Sequence, residues 1–112
     1  MSPQNISLRL ARPSDARQIA LMSRDLVESG LGWSWNPQRV ESALRNPGTL
    51  TLVACESRRN VERVVAFAIM QFGDEHSHLA LLAVQPAHRR LGLGRRMMDW
   101  LVESAYAAGI AA

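Results

Sequence analysis

The order of apolar and polar residues predicts one strand and two helices in the first part of the chain. Residues 6–10 alternate between apolar and polar side chains, which is the period of a half-buried strand. Apolar residues then recur at helical spacing, so a helix is predicted with Ser14 or Asp15 as its N-cap. After a loop rich in glycine, serine and tryptophan, Asn36 is the predicted N-cap of a second, short helix that ends before Asn46.

Three apolar runs and a final helix complete the pattern. The runs 49–56 and 61–72 flank an arginine-rich turn and predict a hairpin, and 77–84 predicts a third strand. From Gly92 to Ala107 the apolar residues lie on one side of a predicted helix. The resulting order, β-α-α-β-β-β-α, predicts an α/β fold that forms a single domain over residues 1–112.

The turn between the last predicted strand and the last predicted helix contains a candidate anion site. Gly92 and Gly94 allow the backbone to approach a ligand closely, and the amides at a helix start carry positive partial charge. The turn is flanked by arginines at Arg89, Arg90, Arg95 and Arg96. The expected ligand is therefore strongly anionic, such as the pyrophosphate of a cofactor.

Composition narrows the classes of partner. The net charge is +3, and the chain contains arginines but no lysine. These arginines are mostly scattered among acidic residues, and no recognition-helix or aromatic RNA-binding pattern accompanies them, so we expect no nucleic-acid partner. No apolar run reaches the roughly 20 residues of a membrane span. The single cysteine, Cys55, suits a reducing compartment, and we expect a cytoplasmic protein without a membrane partner.

Two segments resemble the GNAT superfamily of acyl-CoA-dependent N-acetyltransferases. Residues 82–94 contain a strand ending in Leu-x-Val-x-Pro followed by Arg-x-x-Gly-x-Gly, similar to the acetyl-CoA signature of that family. Residues 8–15 are similar to its first strand and helix start. The resemblance implies a mixed, mainly antiparallel sheet flanked by helices. The usual C-terminal β-α-β-β of the family is lacking, and whether the chain is a fragment of a longer protein stays open.

The resemblance also implies acetyl-CoA as co-substrate and no metal. The amides of the glycine-containing turn would wrap the pyrophosphate, and the backbone of Val84 would pair with the pantetheine arm. The residues assigned to the cofactor are Leu82, Ala83, Val84, Arg89, Arg90, Leu91, Gly92, Leu93, Gly94 and Arg95. The alternative is that the two glycines only form a tight turn and that the arginines are solubilising.

In the implied reaction an amine attacks the thioester directly, and a base takes a proton from the ammonium form of the amine. His78 lies about where many relatives carry a glutamate, and Glu75 lies just upstream, so both are candidate bases. The period of two in a strand predicts that one face is shared by His76, His78, Ala80, Leu82 and Val84. The alternative is a polar approach to the strand without a catalytic role. A zinc site formed by the three histidines lacks an acidic or cysteine partner.

The acceptor is expected to be an amine of a small molecule or a peptide. Trp33 and Trp35 lie in the loop between the first two helices, where family members often build the acceptor pocket; alternatively, they cap the core. Tyr106 does not match the position of the general acid in the family. An open strand edge and a half-covered last helix would favour a homodimer or other self-association. The alternative function is a non-catalytic CoA-binding or regulatory module.

Overall fold

The computed structural model describes residues 5–30, 32–73 and 77–107. Its sheet has the order β1-β2-β3-β4, and each neighbouring pair of strands is antiparallel. The strands are β1 Ile6–Leu10, β2 Thr49–Arg58, β3 Val61–Phe72 and β4 Ser77–Val84. The predicted hairpin is confirmed, and Arg59 and Asn60 form its turn at φ 50° and 65°.

The helices cover both faces of the sheet. They are α1 Ala16–Met22, α2 Pro37–Arg45 and α3 Leu93–Ala107, with a π-helical turn, Ser23–Val27, that continues α1. Helices α1 and α2 pack on one face, called here the α1/α2 face, and α3 packs on the other, the α3 face. The predicted element order and fold class are therefore confirmed. No helix in the described residues is long and apolar enough to cross a bilayer.

Asp15 occupies the predicted N-cap position of α1, but its side chain makes no capping hydrogen bond there. The Asp15 carboxylate instead reaches back and accepts the amide of Arg12 at 2.7 Å. It also pairs with Arg9 of β1 at 2.7 Å. Burial favours the neutral acid, but the hydrogen bonds from Arg9 and Arg12 outweigh it and lower the pKa of Asp15.

The single cysteine lies in the apolar layer between the sheet and the first two helices. Cys55 is fully buried on β2. Burial raises the pKa of its thiol to about 11, although the charge of Arg9 acts in the opposite direction. The side chain is thus a protonated core residue at neutral pH, as its apolar surroundings in the sequence indicate.

A β-bulge in β4 decides which side chains share a face. Ile69 pairs with Leu81 and Met70 pairs with Leu79, so Ala80 has no partner of its own on β3. An extra residue in one strand of an antiparallel pair reverses the alternation of side chains beyond it. The side chains on either side of Ala80 therefore follow different registers.

The bulge moves the candidate base to the opposite face from the one expected. Leu82 and Val84 pack on the α3 face, whereas Ala80 packs on the α1/α2 face. His78 pairs with Gln71, which lines a cavity against α2, so His78 also lies on the α1/α2 face. The expectation that these β4 residues share one face is wrong for this reason; His76, the remaining member of that set, lies outside the described residues.

Candidate functional site

The segment 85–95, called here the glycine turn, presents amides that have no acceptor in the described structure. Arg89 donates its amide to the Pro86 carbonyl at 3.3 Å, and Arg96 donates to the Gly92 carbonyl at 3.0 Å. Between these two bonds, the amides of residues 90–95 have no backbone acceptor among the described residues. The first amides of a helix lack intrahelical partners by geometry. The turn is therefore a row of free donors at the positive end of α3.

The two glycines of this turn are explained by different physical requirements. Gly92 has φ +68°, a left-handed conformation that side chains rarely adopt. Gly94 lies in the first turn of α3, and a Cβ at this position would meet no atom within 4 Å. The fold therefore does not require a glycine at 94. Its missing side chain leaves open space in front of the helix start, where a ligand can approach the amides.

The arginines of the turn give the same space a positive charge. Arg89, Arg90, Arg95 and Arg96 are exposed, and none of them pairs with a carboxylate of the described residues. Arg89 donates its Nε to the Val84 carbonyl at 3.1 Å, which holds its guanidinium at the end of β4. Leu93 is buried and anchors the start of α3 in the core, while Leu91 is exposed. The arrangement suits an anion with several oxygen atoms.

A buried histidine–glutamate pair supports the turn from beneath. His88 is fully buried, and its Nε2 lies 3.1 Å from Oε2 of Glu56 on β2. This hydrogen bond lowers the pKa of Glu56 against the effect of desolvation, and the charges of Arg58 and Arg63 act in the same direction. The Nδ1 atom of His88 is buried without a partner. The sequence analysis considered His88 only as a zinc ligand, because its partner lies 32 residues away.

The histidines cannot form the zinc site considered above. His78 lies near the start of β4 and His88 lies beyond its end. A strand rises about 3.3 Å per residue, which separates these two side chains by far more than a metal site allows. His88 is instead occupied by its contact with Glu56.

His78, one of the two candidate bases, is the last member of a polar row across three strands. Thr49 pairs with Gln71, and Gln71 pairs with His78. Residues directly opposite each other in antiparallel strands have their side chains on the same face, here the α1/α2 face. His78 is exposed. The other candidate, Glu75, lies outside the described residues.

A buried carboxylate organises the loop between the π-helical turn and α2. Glu28 accepts hydrogen bonds from the amides of Ser34 and Trp35 at 2.8 and 3.1 Å, and from the hydroxyl of Ser23 at 2.9 Å. The Ser34 hydroxyl donates to the same carboxylate. These donors, the Ser34 hydroxyl first, outweigh desolvation and lower the pKa of Glu28 to about 2. Glu28 was not predicted from the sequence, because two of its four donors are backbone amides and all four meet only in the folded loop.

The two indoles of this loop are both faced by arginines. Trp35 is 8% exposed, packs in the core and carries the guanidinium of Arg39 over its ring at 3.9 Å. Trp33 is 38% exposed, donates its Nε1 to the Ala20 carbonyl at 3.1 Å and lies 5.5 Å from Arg24. Trp35 therefore does cap the core. A role for either indole in acceptor binding stays a prediction, and a cationic amine would meet a guanidinium at both.

Sequence comparison matches most of the chain to one family. The family model described as "Acetyltransferase (GNAT) family" matches residues 18–112. This range includes the tryptophan-containing loop, the polar row and the whole glycine turn. A search of curated protein sequences finds no significant match.

Solved structures with this fold cover nearly all of the chain. A ribosomal-protein-alanine N-acetyltransferase from Brucella melitensis biovar Abortus 2308 has 17% identity and a TM-score of 0.73 over 95% of this chain and 75% of its own. The ribosomal-protein-S18-alanine N-acetyltransferase from Escherichia coli has 20% identity, a TM-score of 0.74 and coverages of 95% and 63%. A Trypanosoma brucei acetyltransferase has 22% identity, a TM-score of 0.74 and coverages of 94% and 78%. At these identities the likeness shows a shared fold.

Proposed function

The chain belongs to the GNAT acetyltransferase family, and from this premise we propose that it transfers an acetyl group from acetyl-CoA to an amine of a small molecule or peptide. The observation that carries the proposal is the start of α3. There, amides and arginines that have no acceptor or carboxylate partner among the described residues occur together with the open space at Gly94. A turn that served only the fold would not need a glycine at 94.

The residues of the glycine turn fit the co-substrate that the family uses. The amides of residues 90–95 would bind the pyrophosphate, and Arg89, Arg90 and Arg95 would add charge-assisted hydrogen bonds. β4 is an edge strand of the described sheet, so the backbone at Val84 would be available to an extended pantetheine arm. Acetyl-CoA supplies the activated acetyl group, whose carbonyl carbon forms the new C–N bond as the C–S bond breaks.

His78 is the proposed base. It would accept the proton that the ammonium form of the acceptor must lose before its nitrogen can attack. The β4 bulge supports this role, because it places His78 on the α1/α2 face, opposite Gln71 of the cavity against α2, and not on the packed α3 face. Glu75 stays a second candidate base.

A non-catalytic CoA-binding module is the second candidate function. Tyr106, the single tyrosine of the chain, is 67% exposed in the last part of α3. It does not match the position of the general acid in the family. It is therefore not proposed as the acid for the leaving thiolate. Acetyl-CoA binding without turnover would favour this second candidate.

Three expectations about the whole protein stay predictions. They are a single acetyl-CoA-binding domain over residues 1–112, self-association through the β4 edge and a cytoplasmic location. The free edge of β4 in the described sheet supports the second of these, since unpaired strand edges favour pairing with another chain.

Acetyl-CoA at about 100 times its dissociation constant is expected to stabilise the protein by about 2.7 kcal/mol, which raises the Tm by several degrees.

Gly94→Ala is expected to weaken acetyl-CoA binding about tenfold or more, because the new methyl group occupies the approach to the amides. The same substitution should leave the ligand-free protein as stable as before, or more stable by up to about 1 kcal/mol, since alanine favours a helix. Thermal unfolding with and without acetyl-CoA measures both effects.

Glycine at 32 offers the matched control for this substitution. A Cβ at Gly32 also meets no atom within 4 Å, but Gly32 lies in the loop before α2. Gly32→Ala should therefore leave acetyl-CoA binding unchanged. If Gly94→Ala bound acetyl-CoA as tightly as the original protein, the proposed position of the pyrophosphate would be wrong.

A further inference from the structure

We propose that the acceptor amine carries an anionic group, a carboxylate or a phosphate, which Arg39 binds in the cavity between α2 and the sheet. This inference rests on the proposed acetyl transfer and adds the chemical class of the acceptor. The cavity has a volume of about 170 Å³ and therefore suits a group of a few heavy atoms. Its lining residues are Trp35, Arg39, Ser42, Ala43, Asn46, Thr49 and Gln71.

The exposed side chain of Arg39 stacks on Trp35 and has no anionic partner among the described residues. Its amide donates to Oδ1 of Asn36 at 2.9 Å, the N-cap bond that begins α2. Its guanidinium carbon lies 3.9 Å from the centroid of the Trp35 ring. The backbone amide of Trp35 in turn donates a hydrogen bond to the Glu28 carboxylate at 3.1 Å. No carboxylate in the described part of the chain forms an ion pair with Arg39. A preorganised guanidinium with free donors is suited to binding an oxyanion.

The other polar side chains that line the cavity are neutral hydrogen-bond donors, and none of the described lining residues is Asp or Glu. Asn46 accepts the amide of Gly48 on its Oδ1 at 2.8 Å, which leaves the two Nδ2 protons to donate. Thr49 and Gln71 can also donate from a hydroxyl and an amide. Within the described residues the cavity is lined by one cation and several neutral donors but no carboxylate, a lining that favours an anion and disfavours a second cationic group on the acceptor.

The cavity lies beside the proposed base. Gln71 lines the cavity, and its direct partner across the β3–β4 pair is His78. Neighbouring strands lie about 4.8 Å apart, so His78 lies one strand beyond Gln71, on the edge strand of the described sheet. The inference places the amine of an acceptor held at Arg39 along this row, towards His78. The polar row thus connects the site that would hold the anion to the site that would take the proton.

A matched set of small amines tests this inference. Propylamine, β-alanine, O-phosphoethanolamine, 1,3-diaminopropane and the amide of trialanine differ in the group that accompanies the amine. CoA release is measured with each at saturating acetyl-CoA for the original protein, for Arg39→Gln and for the control Arg17→Gln. Arg17 is an exposed arginine on α1 that lines a different cavity.

The expected result is a kcat/KM for β-alanine or O-phosphoethanolamine that exceeds the value for propylamine about tenfold or more. Arg39→Gln should abolish this preference through KM, with kcat little changed, and Arg17→Gln should retain it. The comparison of the two anionic amines tells a carboxylate site from a phosphate site. A preference for the diamine or the peptide amide, or a preference for anionic amines that survives Arg39→Gln, would overturn the inference.

A binding measurement separates this inference from the proposed function. The Tm of the protein without acetyl-CoA should rise with millimolar β-alanine or O-phosphoethanolamine, but not with propylamine, and Arg39→Gln should remove the rise. If acetyl-CoA failed to bind while this rise occurred, the proposed acetyl transfer would fall and the anion site would stand. If acetyl-CoA bound and neither anionic amine raised the Tm or was acetylated, the anion site would fall alone.

Discussion

Replacing His78 by glutamine is expected to lower kcat about 100-fold or more, while the dissociation constant for acetyl-CoA stays the same. Glutamine keeps a polar side chain of similar size but cannot take a proton from the ammonium form of the acceptor. His78 is exposed near the start of β4, at the opposite end of the strand from the glycine turn. The variant should therefore fold normally. CoA release and the Tm shift with acetyl-CoA measure the two quantities separately.

His78→Glu is the informative companion variant. A carboxylate can also accept a proton, so this variant should recover part of the rate that His78→Gln loses. Glu103→Gln, a change at an exposed position of α3, serves as the control and should leave the rate unchanged. If His78→Gln retained the full rate, His78 would not be the base, and Glu75 would be the next residue to replace.

Replacing Glu28 by glutamine is expected to lower the Tm by several degrees at neutral pH and to raise the KM for the acceptor. The Glu28 carboxylate accepts hydrogen bonds from four donor groups. The glutamine side chain would present only one oxygen to them, and its two N–H donors would face other donors. The loop that fixes Trp35, and through it Arg39, should then loosen. Thermal unfolding and acceptor titrations at saturating acetyl-CoA measure these effects.

The same carboxylate predicts a specific pH dependence. The pKa of Glu28 falls from its usual 4.5 to about 2 in the folded protein. Its contribution to stability is therefore complete above pH 4.5 and is lost as the pH falls towards about 2. Through this range the Tm of the original protein should fall more steeply than that of Glu28→Gln, because the other acidic groups are common to both.

Asp25→Asn is the control for this comparison, since Asp25 is an exposed carboxylate of the neighbouring π-helical turn whose partner is Arg24. Its Tm should follow the pH as that of the original protein does. Parallel curves for the original protein and Glu28→Gln would show that the Glu28 contacts contribute little to folding.

The elements that could be predicted from the sequence are those with local signals. Asn36 and Pro37 indicate the start of α2, and both occupy the predicted cap and first helical positions. The hairpin turn at Arg59 and Asn60 follows from two apolar runs around a polar pair. The glycine turn was recognisable because a strand, two glycines and a helix follow one another without interruption.

The features that escaped prediction depend on contacts between distant segments or on an ambiguous pattern. The β4 bulge lies within Leu79–Val84, where every residue is apolar and no alternation fixes the register. The pairing of Glu56 with His88 joins two elements that only the folded sheet brings together. The role of Glu28 depends on a loop conformation in which two amides and two hydroxyls converge on one carboxylate. Backbone donors leave no residue-type signal.

Cys55 has a practical consequence for enzymology. Acetyl transfer releases one CoA thiol per turnover, and a chromogenic disulfide reagent measures this thiol by its absorbance. The only thiol of the protein is fully buried, and the raised pKa keeps it protonated, so in the folded state it contributes no background to such an assay. When no substrate is present, slow modification of Cys55 instead reports the opening of the sheet that exposes β2. It gives the opening rate when the reagent reacts faster than the sheet closes, and the population of the open state when it reacts more slowly.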